Sequence, residues 1–145
     1  MELVLGTDVR EHGHRSGRLA GFEVECASRR IRKVILSGDG ELGNHAVTRP
    51  FSGVKIESGT IEIRPFAPSD AATDGAVLLS HATRIIRSGR EVGRLSGVQV
   101  APDGALQAVI GRKNWWTRRF TLDAASIDLS IPGEIRTGTT ATRAA

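Results

Sequence analysis

The chain is poor in cysteine, aromatic residues and lysine, and each scarcity removes a class of protein. Its one cysteine, Cys26, excludes an internal disulfide framework and a zinc site built from cysteine alone. Tyr is absent and aromatics total 4%, so any core must rest on Val, Ile, Leu and Ala. No apolar run approaches the ~18 residues that a transmembrane helix needs. Nor does Met1-Glu2-Leu3-Val4-Leu5 carry the basic stretch or small-residue cleavage pattern of a signal peptide, so the expected location is the cytoplasm. Lysine occurs only at Lys33, Lys55 and Lys113; the other cations are Arg.

What remains is enough for a packed protein. The chain has 145 residues, 39% hydrophobic and 25% charged, which suits one ordinary domain or two very small ones. Its net charge of +4 favours anionic partners only mildly.

The sequence repeats itself. Residues 16–24 read Ser-Gly-Arg-Leu-Ala-Gly-Phe-Glu-Val, and residues 92–100 read Val-Gly-Arg-Leu-Ser-Gly-Val-Gln-Val, with Gly17 and Gly93 lying 76 positions apart. Gly13 and Gly89 share that offset, as do Val9 and Ile85. Further on, Ile31 to Ile35 aligns with Leu106 to Ile110, Val47-Thr48 with Phe120-Thr121, and Val54 to Ile56 with Ile127 to Leu129. This organisation predicts one repeat over residues 1–66, a linker over 67–75, a second repeat over 76–137 and a mobile tail over 138–145.

Each repeat consists of short apolar runs punctuated by Gly, Asp and Pro. Phe22 and Val24, like Val98 and Val100, alternate with polar neighbours at the strand period. Further strands are expected at 30–36, 45–49, 54–56 and 61–63, and at 106–110, 118–122, 127–129 and 134–135. Val77 to Ile86 has apolar residues at helical spacing, but its repeat partner contains Gly6; strand, turn, strand is the preferred reading. Gly13 and Gly89 suit hairpin turns, as do Asp39-Gly40 and Asp103-Gly104. Gly21 and Gly97 interrupt strands, which points to a bulge or sharp bend. The fold class is therefore all-β. A repeat this small buries limited apolar surface alone, so the two are expected to share an interface or exchange strands.

At Asp8-Val9, Gly13 and Gly17-Arg18-Leu19, and again at Ile85, Gly89 and Gly93-Arg94-Leu95, the chain resembles the PRC-barrel family. The resemblance covers nearly all of the chain except linker and tail. It implies two tandem small, strongly bent antiparallel β-barrels that work in binding and assembly, with no family-wide catalytic residues. His12-Gly13 stands where the family commonly has Asp-Gly.

Candidate chemistry is sparse. His12, His14 and His45 are the residues that would form a histidine metal site, but Gly13 between the first two favours surface turn histidines. Cys26 has no neighbouring motif that would activate a nucleophile and reads as a small buried hydrophobe. No nucleophile elbow, phosphate-binding loop or zinc-protease motif is present, no cofactor is implied, and the protein is read as a non-enzyme. The run Arg29-Arg30-Ile31-Arg32-Lys33 reads as solvated charge on an edge strand. The most informative segment joins both Trp residues to four cations: Arg112, Lys113, Trp115, Trp116, Arg118 and Arg119. Three readings compete for it: an anchor for a protein partner, a stacking platform for RNA bases, and patching of a thin core. The expected function is a non-catalytic adaptor that contacts protein and forms a symmetric homo-oligomer, with RNA or ribosome association as the alternative.

Overall fold

A computed structural model describes residues 1–43, 45–57, 59–64, 75–114 and 116–138. Apart from Gly75 and Gly138, the expected linker and tail lie outside the described residues. The structure is all-β, with two short 3₁₀ turns at Phe51–Gly53 and Ala124–Ser126. The first half supplies β1 (Glu2–Val4), β2 (Asp8–Glu11), β3 (His14–Glu25), β4 (Arg30–Ser37), β5 (Val47–Pro50), β6 (Val54–Glu57) and β7 (Thr60–Ile63). The second supplies β8 (Ala76–Ser80), β9 (Arg84–Arg87), β10 (Arg90–Val100), β11 (Leu106–Arg112), β12 (Phe120–Asp123), β13 (Ile127–Asp128) and β14 (Glu134–Thr137).

These strands form two seven-stranded sheets that trade their first members. One sheet runs β5-β4-β3-β2-β7-β6 and receives β8; the other runs β12-β11-β10-β9-β14-β13 and receives β1. The long strands make this possible. Along one edge of β3, the first part pairs with β2 and the later part, Gly21 to Glu25, pairs with β8. Strand β10 does the same with β9 and then β1. The registers correspond position for position: Gly21 faces Ser80 and Phe22 faces Leu79, while Gly97 faces Val4 and Val98 faces Leu3.

The repeated glycines follow from this exchange. A Cβ at Gly21 would lie 2.6 Å from the Leu79 carbonyl oxygen, and one at Gly97 would lie 2.6 Å from that of Leu3. Register shifts between Leu19 and Gly21 and between Leu95 and Gly97 are the bulges expected there. Both first hairpins turn through a residue and a glycine at positive φ, His12-Gly13 (52° and 77°) and Ser88-Gly89 (51° and 81°), the signature of a type I′ turn.

Exchange also delivers apolar side chains. Leu3 and Leu79 arrive on the traded strands and are 0% and 2% exposed, each contributing about 1.5–3 kcal/mol by burial. They join a single apolar cluster drawn from both halves, with Phe22, Val24, Ile31 and Ile61 from one and Ile85, Val98, Val109 and Ile135 from the other. A second seam crosses at the ends of β4 and β11. Ile31 N–H donates to Gly104 O at 2.8 Å, Leu106 N–H donates to Arg29 O at 2.8 Å, and Arg30 pairs with Asp103 at 3.1 Å.

Three expectations need correction. Arg30, Arg32 and Lys33 are not on an edge, because β4 lies between β3 and β5. Arg32 is held by Glu25 at 3.3 Å, and the Arg29 guanidinium donates to the Ala124 carbonyl across the seam. The strand expected at 118–122 begins only at Phe120, where pairing with Gly111 of β11 starts. Its repeat partner begins at Val47 and ends at Pro50; β5 has a neighbour on one side only, so a residue without an N–H is tolerated. Residues 77–86, by contrast, take the expected strand, turn, strand form: β8, a turn closed by Thr83 N–H to Ser80 O at 3.0 Å, and β9.

The glycine contacts generate a stability prediction. Gly21→Ala or Gly97→Ala forces a methyl against backbone that cannot swing away. Each should lower the unfolding free energy by about 1–3 kcal/mol in urea titrations. The same substitution at Gly138, where a Cβ meets nothing, should leave the midpoint unchanged.

Candidate binding site

Strand β11 ends at Arg112 and β12 begins at Phe120, so the basic-aromatic segment is the loop between them. Thr117 closes it: its hydroxyl donates to Asn114 O at 2.8 Å and accepts from Asn114 N–H at 2.9 Å, while Thr117 N–H donates to the same carbonyl at 3.1 Å. Trp116 sits inside this closure and is 66% exposed, which removes it from the core. Lys113, Arg118 and Arg119 are exposed around it, and Arg112 is half-buried at the strand end. Trp115 lies outside the described residues.

The fold adds partners that the linear segment does not contain. Arg112 is opposite Arg94 in the β10–β11 ladder. The turn after β8 brings His81 to the same place, and traded strand β1 forms the far wall with Val4 and Leu5. The result is a cleft of about 390 Å³ where Arg94, Arg112, Lys113 and Arg119 converge with His81, floored by Leu95. At its rim Glu2 pairs with Arg119 at 3.3 Å.

Comparison of the two halves shows that this charge is not a by-product of the scaffold. Arg18 occupies the register of Arg94 in the first half and faces Ser37 where Arg94 faces Arg112. The chain then continues Gly38-Asp39 where the second half has Lys113-Asn114. On its other side Arg18 faces Asp8, 3.7 Å away as an ion pair; Arg94 there faces Arg84, which is itself held by Glu91 at 2.6 Å. Arg94 has no carboxylate partner among the described residues. The counterpart loop instead carries Asp39, Glu41 and His45 around its own cleft of about 420 Å³. Asp39 accepts from Glu41 N–H at 2.9 Å and from the Ser37 hydroxyl at 3.1 Å, which hold its carboxyl below the ordinary range.

The other nominated residues do not converge. His12, His14 and His45 are all exposed, and no group of three His, Cys, Asp or Glu side chains among the described residues is arranged to hold a metal ion. Cys26 is half-buried against the core, its Sγ 4.0 Å from the Leu129 carbonyl oxygen. Among the described residues no helix is long and apolar enough to cross a membrane. No protein-family model and no curated protein matches the chain.

Three carboxylates contribute to the acid sensitivity of the fold. Like Asp39, Asp128 is lowered, first by the Ser130 N–H, and Glu25 first by the Ser28 hydroxyl and then by Arg32. Folded-state values below those of the unfolded chain mean the unfolded chain binds more protons in the interval between them. Their contribution is thus complete above the unfolded values, near pH 4, and is lost as pH falls through the folded values. Urea midpoints should change little from pH 7 to 5 and fall below about pH 4. The Glu25→Gln/Asp39→Asn/Asp128→Asn variant should show a shallower fall.

Proposed function

We propose that the protein is a non-catalytic binding or assembly module that engages a protein partner through the loop at 112–119. The observation that carries this reading is Trp116, 66% exposed within a loop that its own hydrogen bonds hold shut. An indole with two-thirds of its surface exposed offers apolar area to a partner, and Trp and Arg are favoured as interface anchors. Lys113, Arg118 and Arg119 steer an acidic partner toward it. A second copy of the chain is one such partner, because its loop at 37–46 presents Asp39 and Glu41. The paired bulges support the view of each half as a small PRC-barrel-like module, while β2–β7 and β9–β14 pair in parallel where the resemblance implies antiparallel strands.

The test combines sedimentation with retention of cellular protein on the immobilised chain. Trp116→Ala combined with Arg118→Ala should weaken capture about 30-fold, as expected for a lost anchor worth 2 kcal/mol, with the thermal transition intact. Self-association is read in the same samples as a sedimentation mass that falls in the variant. Equal capture by parent and variant overturns the reading. Capture abolished by ribonuclease and steeply weakened by salt replaces it with RNA association.

A further inference from the structure

We propose that the cleft between β1 and the loop at 112–119 binds a phosphoryl group carried on a small carbon skeleton. This goes beyond the partner reading above, since it requires no protein partner. Four observations converge on it. Arg94, Arg112, Lys113 and Arg119 line one cavity, with His81 beside them. Among the described residues Arg119 is paired with Glu2 while Arg94 and Lys113 have no carboxylate partner, so these two cations bring uncompensated positive charge to the cleft. A phosphate monoester near neutral pH carries close to two negative charges and three acceptor oxygens, which matches several convergent guanidinium and ammonium donors better than a carboxylate does. The cleft is also larger than a bare ion needs. At about 390 Å³ it lies in the range of small-ligand pockets, and Val4, Leu5 and Leu95 give it an apolar wall for a carbon chain.

The divided ancestry of the halves strengthens the assignment. The same backbone in the first half frames Ser37, Gly38 and Asp39, and its Arg18 is engaged by Asp8. One scaffold therefore supplies both the site and its internal control. Arg94 is the discriminating residue: it is exposed, it stands on a rigid strand, and no core side chain depends on it.

The experiment is an amide chemical-shift titration of the full chain with inorganic phosphate and with O-phospho-L-serine, with sodium chloride matched for ionic strength. Saturable shifts are expected at Ser96 and at 112–114, and none at 37–41. O-phospho-L-serine should bind more tightly than inorganic phosphate, and equal or weaker binding would overturn the assignment of a carbon skeleton. Arg94→Gln should weaken binding at least fivefold, Arg94→Lys less, and Glu2→Gln should tighten it about twofold. Unchanged thermal unfolding of these surface variants separates a lost contact from a lost fold. Shifts that never saturate, shifts of equal size in both halves, or unchanged affinity in Arg94→Gln would overturn the assignment. Because the titration uses the chain alone, it can fail while partner capture succeeds, and the reverse.

Discussion

Two backbone crossings, at Gly21 and Gly97, are the constraint on which the rest of the structure depends. There the traded strand of the other half comes so close that a carbonyl oxygen occupies the space of a side chain. The approach lets β8 complete the β3 edge and β1 complete the β10 edge, which in turn places Leu3 and Leu79 in the shared core. Neither half can release its borrowed strand without exposing apolar surface in both.

The same crossing builds the cleft. Val4 and Leu5 belong to the first half in sequence, yet they form a wall beside Arg94 and Arg112 of the second. Duplication and exchange thus produce two equivalent places, and only side-chain chemistry tells them apart: guanidinium and ammonium groups at one, Asp39 and Glu41 at the other. Loops that hang outside the core can diverge in this way at little cost to stability.

Much of the architecture was legible in the chain because glycine and strand alternation leave local marks. The Gly-Arg-Leu-x-Gly pair marked the duplicated long strands, His12-Gly13 and Ser88-Gly89 marked the hairpins, and residues 77–86 resolved as strand, turn, strand. Exchange was legible only as one of two options, since the two apolar residues of β1 specify a strand but not its partner. Arg30, Arg32 and Lys33 misled for a related reason: charge alone does not distinguish an edge from an inner strand, here one where Arg30 pairs with Asp103 across the seam and Arg32 with Glu25 of β3. The exposure of Trp116 removes that residue from the core-patching reading of its segment and fits the protein and RNA readings equally. The cleft itself escaped notice, because Arg94 and His81 join Arg112 only through register. A signal was present in the repeat alignment: Asp8, which engages Arg18, is replaced by Arg84 opposite Arg94.

The traded strands also bear on how the chain is made. Strand β3 gains its last neighbour only after residues 76–80 exist, and β1 waits for β10, nearly a hundred positions downstream. A ribosome that has delivered the first half has therefore delivered no finished unit. Domain-by-domain folding during synthesis is closed to this topology, and such long-range pairing is intrinsically slow. Until its partner strand emerges, Leu3 stays open to water, to chaperones and to neighbouring nascent chains.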